Sequence, residues 1–183
     1  LVGALLLSLP VATAAGTAPP PLTALFTATS AVCVTGLVVV DTATTWSLFG
    51  QLVILGLIQI GGLGYMAVAT LLAMLLGRRI GLRERLALQE SHNLYTLGGI
   101  VRFTRTMLRL TLAIEGAGTL LLAVRWIPQF GPGRGLYYAV FHSVSAFNNA
   151  GFDLMGNFRS LTAFAGDPAV NLIVAALVIL GGL

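Results

Sequence analysis

The stretch "TSAVCVTGLVVVD", residues 29–41, decides how the rest of the chain is read. It is apolar, rich in β-branched residues and broken by one glycine, Gly36. Valine and threonine at this density lose side-chain freedom in a helix, so the stretch is a poor helix former. Yet hydrophobic segments with helical character flank it on both sides. A related stretch, "FNNAGFD", returns at residues 147–153. A non-helical apolar segment that occurs twice among helices calls for a physical reason.

Composition sets the solvent. The chain has 183 residues, 57% hydrophobic and 9% charged, with a mean hydropathy of +0.94. Soluble domains carry about a quarter charged residues, so this balance points to an integral membrane protein in a lipid bilayer. The formal charge of +4 is unevenly spread: all ten basic residues are Arg, and seven of them fall between Arg78 and Arg109. That is one basic segment, not a nucleic-acid surface. The single Cys33 excludes an intramolecular disulfide and a cysteine zinc cluster.

Working outward from residues 29–41, the run at 22–32 is too short to span, since a bilayer needs about 20 apolar residues. Pro21 can open it as a helix. Before it, "GTAPPP" at 16–21 closes the tail of a membrane helix over residues 1–11. The opening "LVGALLLSLPVATAAG" has a signal-peptide look but no basic region ahead of it, and further spans follow. After it, residues 46–76 form a long apolar stretch without proline, expected as one tilted helix. "GRRIGLRERLALQESHN", residues 77–93, is basic and weakly amphipathic.

Residues 99–126 are expected to span again. Arg102, Arg105 and Arg109 share one helix face at their entrance. "IPQFGPGRG", 127–135, reads as a turn-rich loop, and 136–147 as a second helix too short to cross. A polar loop follows to Asp167. A last span over 168–183 stops short of the bilayer thickness, so the chain is expected to be incomplete.

The order long, short, extended, long therefore occurs twice. Gly36 and Gly151 lie 115 positions apart, each followed by a bulky apolar residue (Leu37, Phe152) and soon by an acid (Asp41, Asp153). Gly61-Gly62-Leu63 and Gly181-Gly182-Leu183 match at an offset of 120. The alternative is chance similarity among glycine-rich membrane helices. The expected fold class is an all-α membrane protein of tandem helix–pore-loop–helix repeats: residues 1–76, a basic linker at 77–98, and a second, truncated repeat at 99–183. Basic loops face the cytoplasm, which puts the linker inside and Asp41, Asp153, Asp167, Arg134 and Arg159 outside. The arginines need no further role than this.

Unpaired peptide groups in lipid cost several kcal/mol each, so extended backbone survives there only buried in protein or lining a wet cavity. A short helix followed by a glycine-bearing strand can aim successive carbonyls at an axis, where they replace the hydration shell of a cation. Glycine permits the necessary dihedrals, and the negative C-terminal end of the helix points the same way. Thr35, Asn149 and Ala150 are small or neutral and leave the backbone as ligand. "TSAVCVTGL" thus reads as one selectivity-filter strand and "FNNAGF" as its partner.

Four segments in order, "TATSAVCVTGLVVVDT", "QIGGLG", "GGIVRFTR" and "FHSVSAFNNAGFDL", resemble the pore-forming membrane subunit of Trk/Ktr-type potassium uptake systems, in particular the Ktr type. The resemblance implies four such repeats around one pore, of which this chain holds the first and most of the second. It places the filter glycines at Gly36 and Gly151 and the ion-facing carbonyls at Val34, Thr35, Asn149 and Ala150. Cys33, Leu37, Asn148 and Phe152 flank them. Serine at the first glycine goes with sodium passage in this family, so Gly36 favours potassium. A homodimer in the cell membrane and a cytosolic ring of nucleotide-binding regulatory subunits are further implications.

No catalysis and no cofactor are expected, only a transported potassium ion. Sodium- or proton-coupled symport and a non-catalytic membrane assembly module are the alternatives. The basic linker is either a contact for the regulatory ring or a solvated loop. Glu115, inside a span, is either protonated or paired with an arginine near the interface. His142 is expected to support the second short helix by hydrogen bonding. With His92 across the membrane, it has no partner for a metal. Cys33 is expected to be a small packed residue beside the filter. Asp41 and Asp153, at the outer mouth, either concentrate cations or cap loops.

Overall fold

The computed structural model describes residues 1–64 and 97–183, with side chains described throughout except over 97–104. The second half of the expected 46–76 helix, residues 77–96 of the basic linker, His92 and the side chain of Arg102 lie outside the described residues. Among the described residues the regular structure is helical, with two short 3-10 turns and one isolated bridge between Thr13 and Trp46. The helices are α1 (Val2–Leu7), α2 (Pro21–Val32), α3 (Thr42–Thr45), α4 (Leu48–Gly62), α5 (Leu97–Phe130), α6 (Pro132–Phe147) and α7 (Pro168–Gly182). The chain divides into two compact units, Leu1–Gly62 with Ile114–Leu183, and Leu63–Ala113. The described part of the latter includes the opening of α5, with Arg105 and Arg109.

Proline opens three of the helices. Pro21, Pro132 and Pro168 stand at their first positions, where a missing N–H costs nothing and φ is already helical. Asp167 caps α7, its Oδ1 accepting from the N–H groups of Ala169 (3.1 Å) and Val170 (3.4 Å). Its other oxygen accepts from Arg125 Nε of α5 at 2.6 Å. Asp41 caps α3 in the same manner, through Thr44 N–H at 2.9 Å.

Three expectations about the helices are corrected. The first helix ends at Leu7 rather than near residue 11, because Pro10 bars the helical conformation at the residue before it. The stretch from residue 46 is not one unbroken helix: α4 ends at Gly62, and Gly64 follows with φ +78°, a left-handed stop that only glycine adopts readily. The expected loop at 127–135 is nearly absent. Helix α5 runs on to Phe130 with Pro128 in its last turn, and Gly131 alone, at φ +83°, separates it from α6. Gly131 N–H donates to Ile127 O (2.9 Å) and Gly135 N–H to Gly131 O (2.8 Å), which closes the turn.

Alanines are buried among the helices together with larger apolar side chains, and many large aliphatic ones lie on the outside. Ala4, Ala12, Ala24, Ala28 and Ala31 are buried, whereas Leu22, Leu120, Val124 and Leu172 are each more than two-thirds exposed. That distribution is the pattern of helices that pack closely against one another while presenting apolar surface to lipid. Among the described residues one stretch, Arg105–Phe130, is long and apolar enough to cross a membrane; α2, α4 and α7 are shorter apolar helices. Trp46 and Trp126 are the bulkiest of the fully buried side chains, and the Trp126 indole meets the His142 ring edge-on at 5.1 Å. Gln51 of α4 joins the halves by accepting from Tyr137 Oη at 2.9 Å while donating to Trp46 O.

Close approaches repeat between the halves. A Cβ on Gly3 would strike Leu57 of α4, and one on Gly118 would strike Leu177 of α7. Gly61 lies directly against the Val32 carbonyl, and Gly181 against the Phe147 carbonyl. Each long helix therefore uses glycine to press on the last carbonyl of the short helix in its own half.

Candidate functional site

The two short helices end in the same way. Helix α2 gives out at Cys33 (φ −81°, ψ 0°) and α6 at Asn148 (φ −79°, ψ 3°). The next residue in each case, Val34 or Asn149, takes a left-handed conformation at φ 54° or 57°. One residue further on, the chain folds back on its helix: Thr35 N–H donates to Ser30 O (3.0 Å), and Ala150 N–H to Ser145 O (2.8 Å). Gly36 and Gly151 follow at φ +69° and +73°. A serine then closes each loop. Ser30 Oγ donates to Leu37 O at 2.6 Å, and Ser145 Oγ to Phe152 O at 2.6 Å. Since the Ser30 hydroxyl hydrogen is committed to Leu37, the 2.8 Å contact with Thr35 Oγ1 has the threonine as donor.

These serines fix two loops of one conformation, and the loops meet. A Cβ on Gly36 would lie 2.6 Å from Ala150 O and 3.3 Å from Gly151 Cα. Among the described residues, the carbonyls of Val34, Thr35, Gly36, Asn149, Ala150 and Gly151 accept no hydrogen bond. Thr35, Asn149 and Gly151 are exposed, while Ala150 is fully buried against Gly36. A cavity of about 260 Å³ adjoins the second loop, lined by His142, Ser145, Asn149, Gly151, Asp153 and Val178 among others. Chemically, the site offers neutral oxygen acceptors on backbone that side-chain hydroxyls hold in place.

The flanking residues divide. Phe152 is buried but Leu37, its counterpart, is exposed. Asn148 is buried, whereas Cys33 is exposed, contrary to the packed environment expected for it. Asn148 is covered by Gly62 and Gln59 of α4, and among the described residues no equivalent helix covers Cys33.

His142 supports the second loop from behind. Leu154 N–H donates to its Nε2 (3.2 Å), so Nδ1 carries the hydrogen and donates to Tyr138 O (2.7 Å). This fixes a neutral tautomer. Glu115, which is buried, meets side-chain amides of Gln59 and Asn148.

Asp41 and Asp153 both make loop contacts. Asp41 accepts from Thr44 N–H and Oγ1, and its other oxygen accepts from Phe158 N–H (2.8 Å), which ties together the segments that follow the two glycine loops. Partial burial pushes its carboxyl up, but the hydrogen bonds from Phe158 and Thr44 outweigh this and hold it below the ordinary range. Asp153 accepts from Met155 N–H at 2.9 Å. Its carboxyl is pushed up, first by burial and also by the neighbouring charge of Asp41. Sequence reasoning passed over Ser30, Ser145 and Gln59. The signal for the serines was present: "SAVCVTGL" and "SAFNNAGF" begin with the same Ser-Ala pair at the same distance from the glycine.

The TrkH cation transport protein profile matches residues 5–183, and the chain belongs to that family. It is 48% identical over 186 residues to Ktr system potassium uptake protein B of Bacillus subtilis, covering 100% of this chain and 40% of that protein. The Potassium/sodium uptake protein NtpJ of Enterococcus hirae is 41% identical over 183 residues, covering 100% and 40%. The Ktr system potassium uptake protein B of Vibrio alginolyticus is also 41% identical, over 100% and 39%. The chain thus spans about 40% of the length of these curated relatives.

Proposed function

We propose that this chain is the first part of a potassium uptake protein, in which the two glycine loops supply two sides of a carbonyl-lined selectivity filter. The observation that carries this reading is the pair of identically closed loops whose carbonyls accept no hydrogen bond among the described residues. Val34, Thr35, Gly36, Asn149, Ala150 and Gly151 supply carbonyl ligands to dehydrated potassium, with the two loops side by side along its path. Residues 1–76 and 99–183 are two helix–pore-loop–helix repeats, and 77–98 a cytoplasmic linker. Asp41 and Asp153 stand at the outer mouth. The whole protein sits in the cell membrane as a homodimer on a cytosolic nucleotide-binding ring. The names of the relatives, two of them Ktr system potassium uptake proteins, support the ion assignment.

The test is potassium-limited growth of an uptake-deficient cell expressing the full-length protein, with ion fluxes measured alongside. Wild type should restore growth, and Gly36→Ser should weaken discrimination against sodium. Identical potassium-to-sodium ratios in the two proteins would contradict the filter assignment. The relative named as a potassium/sodium uptake protein favours a second reading, sodium-coupled symport. Potassium uptake that requires external sodium would establish it.

A further inference from the structure

Glu115 is 5% exposed and lies on α5, away from both loops in sequence. Its carboxylate is the meeting point of three helices. Gln59 Nε2 of α4 donates to Oε2 at 3.2 Å, and Asn148 Nδ2 at the end of α6 donates to Oε1 at 3.0 Å. The same Asn148 nitrogen reaches Gln59 Oε1 (3.2 Å) and Val144 O (2.9 Å). Ser143 Oγ donates to the Glu115 backbone carbonyl at 2.7 Å, which joins α5 to α6 a second time. Gly62 leaves no space on the remaining side of the Asn148 amide. The amide is therefore enclosed by protein on α4, α5 and α6.

Its position gives this enclosure a purpose. Asn148 caps the end of α6, immediately before Asn149 turns left-handed and the loop begins. A rotation of Asn148 would turn every carbonyl after it. A carboxylate suits the task because it is acceptor on both oxygens and meets two amide donors at once. The first loop starts from Cys33, which is exposed and has no such brace among the described residues.

We propose that Glu115 is a positioning residue for the second loop: it holds the Asn148 side chain and so sets the direction of the Asn149–Gly151 carbonyls relative to α4. This rests on the filter reading above. An ionisable group in a membrane span is costly, and a geometric task at an ion path accounts for its presence.

The experiment compares potassium and sodium fluxes through the full-length protein in proteoliposomes. Glu115→Leu removes both acceptors and should lower the potassium-to-sodium ratio about three- to tenfold, the effect of losing one ordinary buried hydrogen bond. Asn148→Leu should do the same, and the double variant should be no worse than either single one, since both cut one linkage. Glu115→Gln keeps the shape and one acceptor oxygen, and should shift the ratio by about twofold. It decides the matter if the leucine variants do not accumulate. A merely structural role would lower thermal stability and total flux while leaving the ratio untouched, and that result overturns the proposal. If wild type itself fails to pass potassium, the filter reading falls; if wild type discriminates and the Glu115 variants discriminate equally, the positioning role alone falls.

Discussion

Asp41 and Asp153 lie near one another, yet they respond to acid with opposite sign. The Asp41 carboxyl is held below the ordinary range. Its contribution to stability is present above that range and is lost as pH falls through the lowered value. The Asp153 carboxyl is raised, so its contribution is complete at low pH and is lost as pH rises through the raised value. Asp153→Asn keeps an acceptor for Met155 N–H and removes the buried charge. It should raise the thermal midpoint of the full-length protein near neutral pH, with the gain shrinking on acidification. Asp41→Asn should lower the midpoint, because its amide nitrogen would face a donor, either Thr44 or Phe158. Melting in detergent across a pH series distinguishes the two. At this scale the sequence reveals residue types and spacing: Gly36 and Gly151 are legible because both stand at φ values that suit glycine and occur at a fixed interval. The environment of Cys33 is not legible, because exposure depends on which helix covers a position rather than on the residue.

The two loops are elements in their own right, and their serine closures differ in cost. Ser145 and Phe152 are both buried, so Ser145→Ala leaves the Phe152 carbonyl without water or partner. The expected loss is about 1–3 kcal/mol. Ser30 serves the exposed Leu37, whose carbonyl has more access to solvent, so Ser30→Ala should cost less, about 1 kcal/mol. Unfolding of the two full-length variants under one condition gives the ranking; equal losses would contradict it. Helix starts were readable from Pro21 and Pro168, and their positions held. The α5–α6 connection was not, because prolines usually announce a loop. Here Pro128 occupies the final turn of one helix and Pro132 the first turn of the next, so only Gly131 separates them. Helix α3 was missed for a different reason. Its "TATT" has weak helical propensity, and the Asp41 cap alone marks it.

Across the molecule, glycine sets how near the long helices come to the loops. Gly61 and Gly181 press on the carbonyls of Val32 and Phe147, the last residues of α2 and α6. A side chain at either place must drive the long helix away from backbone, which has no rotamer with which to yield. Gly61→Val and Gly181→Val should each cost about 1–3 kcal/mol or more, and should lower the yield of monodisperse full-length protein. Gly56, with open space around its position, is the control: Gly56→Ala should leave that yield unchanged. An apolar, glycine-rich helical protein is foreseeable from composition, but which glycine touches which carbonyl is not, since that follows from helix crossing. The spacing between the halves holds one further meaning. Gly36 and Gly151 are 115 residues apart, but Gly61 and Gly181 are 120 apart. Five residues have therefore been added in the second half after the loop glycine and before the helix end. If one half is a copy of the other, its length has drifted in the segment between the loop glycine and the end of the following helix.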